Sequence, residues 1–451
     1  MNIKKTLCMV LAMLVALSAA ALADSDDLQA QLDAANARVA ELEAQVELYK
    51  PYYEQQIVAE YGNGGIIWRD DAMKEFEAAS SAYAQYGMSI DAYADEVKQQ
   101  ILETLVQDAV LDAKAAELGL GQLDDEARAN LEAEAAQNFE NYIESYKSYF
   151  AEEGATDEEA REQTIAAMEQ YGLTLDVLTQ QTLDSYVSEQ LHSYVTDGVT
   201  VTDEDVQAKY EAMVAEDQES YASDYTYNNA RNSGDTIAWN PEGYRAVKHV
   251  LIKFDDDQAQ LYSDLQSTLS SLNAELEALD TPADETADDA EAAEPRSREE
   301  IQGDIGNVAT EIEALYSQLL PQAQQVIDEF NAGADFDSLI EKYNADPGMT
   351  REPTATNGYA VAAESTTWDP AFTEGAMSIG AVGGISAPVY GQNGIHVIYY
   401  LSDITPGPVP FEEIADAVKD AALEDKVSQT YTDQVAAWVE EAAPVYHADR
   451  F

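Results

Sequence analysis

The stretch AVKHVLIKF at residues 246–254 and the stretch GGISAPVYGQNGIHVIYYLSD at residues 383–403 decide the fold of this chain. Both are rich in β-branched and aliphatic residues. The second holds two strand-like pieces, Ile385 to Tyr390 and Ile395 to Leu401, joined by a glycine-flanked turn at residues 391–394. The sequence on either side of these strands is mostly helical. We therefore expect a multidomain chain, with a mostly α-helical body and an α+β domain built on a small antiparallel sheet.

Composition excludes several classes of protein. The chain has 451 residues, with 87 Asp and Glu against 23 Lys and Arg, which gives a formal charge of −64. An apolar content of 46% is too high for a fully disordered acidic chain, so packed domains are expected. The negative charge argues against nucleic acid and against an anionic membrane surface as partners, because both attract a basic face.

The N-terminus predicts export from the cytoplasm. Lys4 and Lys5 precede an apolar run from Leu7 to Leu17, and small residues flank Leu22 before Asp24. This pattern is typical of a signal peptide over residues 1–23, and it places the chain outside the cytoplasm, secreted or in the cell envelope. An uncleaved membrane anchor is the alternative; after cleavage no stable membrane span is expected. The single cysteine, Cys8, excludes an intramolecular disulfide framework and a thiolate-rich zinc site.

The helical part begins with a heptad pattern at residues 24–50. Its apolar positions follow a 4-3 spacing: Leu28, Leu32, Ala35, Val39, Leu42, Val46 and Tyr49. Both a short coiled coil and an amphipathic helix against the body fit three such repeats, and Pro51 is expected to end the helix. Residues 51–240 are predicted to form a helical domain, with a buried stripe between residues 97 and 110. Residues 222–243 lose the helical period and predict an irregular linker.

Residues 256–320 predict a helical hairpin inserted into the α+β domain. Two leucine-type stripes, at residues 261–279 and 301–319, flank an acidic, proline-containing tip at residues 281–295. The acidic runs lack the spacing of a calcium loop, so we interpret them as solvated and expect no metal site. Residues 406–451 return to a helical pattern.

The chain has only four histidines, and two of them fall in the predicted strands. His249 follows Lys248 in the first strand, and His396 lies between Ile395 and Val397 in the second. Two hydrogen-bonded core histidines with no function are the simple alternative.

Taken in order, these segments resemble the parvulin family of peptidyl-prolyl cis/trans isomerases. The matching pieces are HVLIK at 249–253, GADFDSL at 333–339, the P-x-F helix start at 370–372, and the S-x-P-V and G-x-H-x-I motifs of the last hairpin. The resemblance covers roughly residues 244–403 without the insertion, and it implies a parvulin-like domain at residues 241–405. The helical segments EVKQQILETLVQDAVLDAKAAELGL at 96–120 and VTVTDEDVQAKYEAM at 199–213 resemble the flanking regions of PrsA/SurA-type extracytoplasmic foldases. In those proteins the C-terminal helix packs on the N-terminal helices.

The resemblance implies a set of site residues. His249, Asp346 and His396 match the catalytic histidines and the Cys/Asp position of the family. The substrate-binding positions are matched by Trp368, Phe372, Asn357 and Asn393. Trp368 stands where Met or Leu is usual, Asn357 stands where Leu is usual, and the family's GGDLG is reduced to ATNGY at 355–359. A capping role for Asp346 in the turn that follows it is the alternative.

The resemblance also implies an activity that needs no cofactor or metal. The partners would be unfolded or partly folded exported polypeptides with X-Pro bonds. Rotation about the peptide bond faces a barrier of ~18–20 kcal/mol, and an apolar cup that favours the twisted amide would lower it. The departures from the motif keep open an inactive, parvulin-like holdase chaperone. The heptads and the hairpin also keep open a structural coiled-coil protein of the envelope. The sequence does not decide whether the chain forms a homodimer.

Overall fold

A computed structural model describes residues 25–62, 64–152, 154–279 and 296–451. The predicted signal peptide at 1–23 and the acidic tip at 281–295 lie outside the described residues. The chain divides into two compact units. The first unit comprises the residues up to Val199 together with Lys426–Phe451, and the second unit comprises Thr200–Asp425. The domain boundaries predicted at residues 240 and 405 stay predictions.

The first part of the chain is helical except for one hairpin. In chain order its elements are α1 (Ser25–Glu54), β1 (Ile57–Tyr61), β2 (Gly65–Trp68), α2 (Arg69–Gln85), α3 (Ala94–Leu118), α4 (Asp125–Phe150), α5 (Asp157–Gln170) and α6 (Leu175–Thr196).

From Thr200 onward, the chain contains both helices and strands. The elements are α7 (Asp203–Ser220), α8 (Asp224–Ser233), β3 (Trp239–Asn240), β4 (Arg245–Lys253), α9 (Asp256–Ala278), α10 (Arg298–Asn331), α11 (Phe336–Tyr343), α12 (Thr354–Asn357), β5 (Tyr359–Val361), α13 (Pro370–Ser378), β6 (Val389–Gly391), β7 (Gly394–Asp403), β8 (Gly407–Pro408), α14 (Phe411–Ala442) and β9 (Val445–Tyr446). The predicted fold class, mostly helical with small antiparallel sheets, is confirmed.

The sheet of the second unit positions the candidate site. Its strand order is β5-β4-β7-β6, and every neighbouring pair is antiparallel. The central strands β4 and β7 are almost wholly buried, because their alternating aliphatic residues face apolar side chains on both sides of the sheet. Helices α9 and α10 pack their leucine-type stripes together, and Leu272, Ile301 and Leu315 join the same apolar core as Ile252 of β4.

The first unit has its own core, around the hairpin β1–β2 and helix α3. Val58 of β1 and Leu102 and Val106 of α3 are fully buried. Trp438 and Val439, from the part of α14 that belongs to this unit, pack against them. Strand β9 pairs with β1, so the C-terminal residues complete a three-stranded sheet with order β2-β1-β9.

Three local expectations were wrong. Helix α1 continues past Pro51 to Glu54, because a proline so near the helix end removes only one hydrogen-bond donor. Residues 222–243 contain helix α8, capped by the Ser223 side chain, where an irregular linker was expected. In the piece 385–390, Ile385 makes an isolated bridge to Tyr399, and the strand proper begins at Val389.

Within the described ranges, no helix has both the length and the apolar character needed to cross a membrane.

Candidate functional site

Strand register brings the two predicted catalytic histidines together. In the β4–β7 pair, His249 lies opposite Ile398, and Leu251 lies opposite His396. The two histidines are therefore diagonal neighbours on one face of the sheet, where long side chains reach each other. Both are buried: His249 is 3% exposed and His396 is 7% exposed. Two polar rings at this depth require hydrogen-bond partners.

Asp346 reaches this face from the loop that follows α11. The helix ends at Tyr343, and the Asn344 side chain then accepts hydrogen bonds from the backbone N–H groups of Leu251 and Asp346, at 2.9 and 3.0 Å. The same side chain donates to the carbonyl of Asp346 at 2.6 Å. Asn344 thereby fixes the loop to strand β4 and sets the position of the carboxylate.

The three predicted catalytic side chains form one hydrogen-bonded chain. Nε2 of His249 lies 2.8 Å from Oδ2 of Asp346, and Nδ1 of His249 lies 3.0 Å from Nδ1 of His396. An ionised carboxylate only accepts, so Nε2 of His249 must carry a proton. The Nδ1–Nδ1 contact then holds a single proton between the two rings. Both a neutral pair and an imidazolium at His249 beside a neutral His396 satisfy these contacts.

Asp346 accepts further hydrogen bonds, one of them from a residue that the sequence analysis did not assign to the site. The backbone N–H of Gly348 and the hydroxyl of Tyr359 both donate to it at 2.9 Å. A Cβ atom added at Gly348 would fall on the Tyr359 hydroxyl, so glycine permits this approach. Tyr359 lies two residues after Asn357, within ATNGY at 355–359, and no pattern in that segment indicates its contact with Asp346.

Burial and hydrogen bonding shift the pKa of the Asp346 carboxyl in opposite directions. Burial by itself raises the pKa of the carboxyl, but the bonds from His249, Gly348 and Tyr359 outweigh it and lower the pKa to about 2. For Tyr359, burial and the adjacent carboxylate both raise the pKa of the hydroxyl, which therefore stays a donor. Asp346 is thus a fixed anion in the ordinary pH range, held by three donors.

His396 is held in its neutral form. Burial is the main cause that lowers the pKa of its imidazole to about 3, and the neighbouring His249 lowers it further. The charge of Asp346 acts in the opposite direction but does not compensate. The far end of the network is therefore uncharged, and the near end is anionic.

Aromatic side chains cover the network. The ring of Phe372 lies edge-on to both histidines, with centroids 5.1 Å from His249 and 5.2 Å from His396. Trp368 lies 6.0 Å from Phe372 and 4.4 Å from Tyr359, and its indole N–H donates to the carbonyl of Ala360 at 2.8 Å. Phe372, which is only 4% exposed, thus lies directly against both histidines, whereas Trp368 packs on Phe372 and Tyr359.

Asp369 joins this aromatic wall to the last hairpin. One of its carboxylate oxygens accepts the backbone N–H of Ala371 and caps α13, while the other accepts the N–H of Gln392 at 2.7 Å. A Cβ atom added at Gly391 would lie 2.8 Å from Nε2 of His396. The backbone at the end of β6 therefore approaches the His396 ring of the neighbouring strand closely only because glycine stands at this position.

Asp224 holds the loop that leads to Trp368. Its carboxylate accepts the backbone N–H groups of Thr366 and Thr367, both at 2.8 Å, and the hydroxyls of Ser365 and Tyr244. Burial raises the pKa of Asp224, but these bonds outweigh it and leave the pKa lowered. The start of α8 thereby anchors one side of the site, a role that the sequence pattern did not indicate.

Two of the predicted substrate-binding residues do not join the network. Asn357 ends α12 and Asn393 lies in the turn between β6 and β7, and both side chains are exposed. Among the described residues, neither side chain takes part in the hydrogen bonds of His249, Asp346 and His396. Across the same residues, no three His, Cys, Asp or Glu side chains are grouped so that they could hold a metal ion.

The geometry suits non-covalent chemistry. A buried chain of fixed polar groups lies beneath a wall of aromatic rings. A small apolar ring could pack on this wall, and a polar group attached to it would then lie in the electrostatic field of the network. Such a site binds and orients a ligand and changes the polarity around it, and it can do this without a covalent intermediate.

Comparisons with known proteins give structural neighbours only. No protein-family model and no curated protein sequence matches the chain. Among solved structures, the chain is similar to the foldase protein PrsA from Streptococcus pneumoniae, with 14% identity and a TM-score of 0.25, over 84% of this chain and 91% of that one. The chain is also similar to PrsA from Bacillus subtilis, with 16% identity and a TM-score of 0.23, over 86% of this chain and 93% of that one.

A third neighbour comes from a study of PEB4 and Cj1289, two structurally related SurA-like chaperones of Campylobacter jejuni. Here the identity is 11% and the TM-score is 0.21, over 84% of this chain and 96% of the other. At TM-scores this low the whole chains do not superpose, so the likeness carries no argument about the site. The site's function has to be argued from its own geometry.

Proposed function

We propose that this chain is an exported foldase that catalyses the cis/trans isomerisation of X-Pro peptide bonds and assists the folding of secreted proteins. The observation that carries the proposal is the hydrogen-bonded chain of His249, Asp346 and His396 beneath the rings of Phe372 and Trp368. Its partners would be unfolded or partly folded exported polypeptides. The reaction needs no cofactor and no metal ion.

Isomerisation needs only differential binding. The planar amide loses its resonance as the bond twists, which sets a barrier of ~18–20 kcal/mol, and exchange at X-Pro bonds takes tens to hundreds of seconds. Packing of the proline ring on Phe372 and Trp368 would hold one side of the bond. The fixed anion at Asp346 and the neutral ring of His396 would set the polarity around the carbonyl, so that the twisted amide is bound better than the planar one.

The proposal is tested with the purified chain and a short peptide that contains one X-Pro bond. Exchange between the two isomers is measured by NMR, with and without the protein. We expect faster exchange with the wild type, and a loss of about ten-fold or more in His249→Gln, because this removes the centre of the network. The His447→Gln variant serves as a control, because His447 belongs to the first unit and contacts Glu60.

A folded wild-type chain that leaves the exchange rate at its uncatalysed value would overturn the enzymatic proposal. Circular dichroism and thermal unfolding establish that each variant is folded, so that a loss of rate is separated from a loss of structure.

The second candidate function is a holdase chaperone without turnover. It is favoured by the tight packing of the aromatic residues over the network. Phe372 is nearly buried and the Trp368 ring packs on Tyr359, so little of either ring is free to contact a proline. A Trp368→Met variant distinguishes the two functions, because methionine is smaller and more flexible. A variant that accelerates exchange when the wild type does not would identify the native chain as the holdase.

Export is tested separately. The proposed cleavage after Ala23 predicts that the protein recovered outside the cytoplasm begins at Asp24. N-terminal sequencing of that protein checks this prediction, and a recovered chain that still begins at Met1 would contradict it.

A further inference from the structure

A row of aromatic rings runs along the surface of the first unit. The ring of Tyr142 lies 6.4 Å from that of Tyr146, which lies 5.9 Å from that of Phe150. Phe150 in turn lies 6.2 Å from Tyr171, the residue that follows α5, and Tyr149 lies 6.3 Å from Tyr146. These five residues are called the tyrosine ladder. The spacing of the four residues in α4 places them on one side of that helix, and Tyr171 extends the row from the end of α5.

The rings of the tyrosine ladder are more exposed to solvent than side chains that pack into a core. Tyr149 is 78% exposed and Tyr171 is 80% exposed, while Tyr142 and Tyr146 are each about two-fifths exposed. Contiguous aromatic surface of this kind marks interaction sites on soluble proteins. Tyrosine offers a large, rigid contact area at a small entropy cost, together with a polar tip that stays hydrated.

The surroundings of the tyrosine ladder are strongly acidic. Helix α4 carries six acidic and two basic residues, and α5 carries five acidic residues and one basic residue. The basic side chains beside the ladder are already occupied. Lys147 pairs with Glu144 and Asp157 at 2.7 and 2.8 Å, and Arg161 pairs with Glu140 at 2.6 Å. The field at this surface therefore favours a cation.

A cleft continues the surface from the tyrosine ladder. It lies between α4 and α6, has a volume of about 250 Å³, and includes Tyr142 and Tyr186 in its lining. Glu134 and Glu189 also line it, and none of its described lining residues is a lysine or an arginine. Aromatic faces and carboxylates thus alternate along one continuous surface, which suits a ligand that carries apolar groups and positive charges in turn.

We propose that the tyrosine ladder and this cleft bind extended segments of unfolded polypeptide that carry Lys or Arg beside apolar side chains. The apolar side chains lie on the rings, and the cations lie over the ring faces or beside Glu134 and Glu189. The inference rests on the proposed function in so far as the segments belong to folding clients, but it needs no proline. A second copy of this chain would present the same acidic surface, which repels itself.

The test uses fluorescently labelled, proline-free peptides of equal length and the full chain. In the first peptide Arg alternates with Leu, in the second Glu replaces each Arg, and in the third Ser replaces each Leu. Fluorescence anisotropy is expected to show binding of the first peptide, and binding at least ten-fold weaker for the other two. Binding of the first peptide is expected to weaken as salt rises, because the charges are exposed.

Matched variants assign the binding to the tyrosine ladder. Tyr149→Ser with Tyr171→Ser is expected to weaken the binding of the Arg/Leu peptide at least ten-fold. Tyr86→Ser with Tyr93→Ser is the control, since these tyrosines also belong to the first unit and are 80% and 55% exposed. The control is expected to bind within two-fold of the wild type. Equal losses in the two pairs, or no binding by the wild type, would overturn the proposal.

Two further readouts separate this proposal from its alternatives. A solution mass that shows a wild-type dimer and a monomeric Tyr149→Ser/Tyr171→Ser variant would identify the surface as a contact between copies and would overturn the proposal. Exchange of the X-Pro peptide is expected to be the same in this variant as in the wild type. Failed peptide binding with intact isomerisation therefore overturns only this inference, and the reverse result overturns only the isomerase.

Discussion

At the scale of the residue, Asp346 is the centre of the candidate site. It joins a histidine from β4, a backbone N–H from its own turn and a tyrosine hydroxyl from β5. Burial of a carboxylate is costly, and here three donors offset that cost and keep the group ionised. The turn-capping role that the sequence offered as the alternative also exists, because Gly348 donates to the same carboxylate. The two roles are compatible.

Tyr359→Phe tests this arrangement without a change in shape. The loss of one donor is expected to raise the pKa of Asp346 above its value of about 2, and to lower the free energy of unfolding by about 1 kcal/mol. NMR titration of the carboxyl and urea unfolding measure the two effects. Tyr390→Phe, at an exposed tyrosine, is the control. An unchanged pKa in Tyr359→Phe would mean that the hydroxyl does not stabilise the anion.

The depressed pKa of His396 predicts a pH dependence of stability. The folded-state pKa of about 3 lies below the ordinary value of 6.5, so the unfolded chain takes up a proton first as the pH falls. The stability is therefore fully present above pH 6.5 and is lost as the pH falls toward 3, by at most about 1.4 kcal/mol per pH unit. His249 and Asp346 are the titratable groups that face the ring.

Urea unfolding of the wild type and His396→Gln between pH 6.5 and 4.5 checks this dependence. The carboxylates of the rest of the chain are common to both proteins, so they cancel in the difference. The free energy of unfolding of the wild type is expected to fall more steeply than that of the variant. Parallel curves would contradict a buried, neutral His396.

The sequence could predict His249, Asp346 and His396 because each lies in a short local motif. It could not predict Tyr359, Asn344 or Asp224, because each of these side chains acts through a contact between separate elements of the fold. Asp224 binds a loop some 140 residues away, for example, as its bonds to Thr366 and Thr367 show. Asn357 and Asn393 were chosen by motif position alone, and the structure places both outside the hydrogen-bonded network.

At the scale of the element, the site depends on how closely the β6–β7 hairpin approaches α13. Asp369 ties the two together, and the hydroxyl of Tyr316 in α10 donates to the carbonyl of Gly391 at 3.0 Å. The hairpin formed by α9 and α10 therefore contacts the β6–β7 hairpin of the sheet through this tyrosine, in addition to the shared apolar core. The insertion is part of the support of the site.

Gly391→Ala tests the close approach of this hairpin. The added methyl group would meet the imidazole of His396, so we expect a loss of about 1–3 kcal/mol in the free energy of unfolding and slower X-Pro exchange. Gly380→Ala is the matched control, because nothing lies within 4 Å of a Cβ atom there. Equal stability of the two variants would show that the Gly391 backbone does not pack on the His396 ring as described.

Helix ends and small strands were the elements that the sequence predicted least well. Helix α10 runs without a break through Pro321 to Asn331, beyond residue 320 where the inserted hairpin was predicted to end. Strands β1 and β2 are four or five residues long, and their buried faces are set by α3 and β9, which lie far away in sequence. The ends of these helices and strands therefore depend on tertiary packing. The long apolar stripes of α3 and α10, by contrast, could be predicted from their helical periodicity.

At the scale of the whole molecule, the two proposed binding sites lie in different units. The network of His249, Asp346 and His396 lies in the second unit, and the tyrosine ladder lies in the first. A formal charge of −64 favours solubility of the chain and of any complex with an aggregation-prone, unfolded client. It also favours basic clients, which is the chemistry that the ladder and its cleft suit.

The most direct test of the central claim is the rate of X-Pro exchange in Asp346→Asn, compared with the wild type and with Asp256→Asn. Asparagine keeps the shape of Asp346 but removes the charge, whereas Asp256 is exposed at the start of α9. The account predicts that the folded Asp346→Asn variant loses about ten-fold or more of the rate, and that Asp256→Asn keeps it. Equal rates in all three folded proteins would contradict catalysis by the His249–Asp346–His396 network.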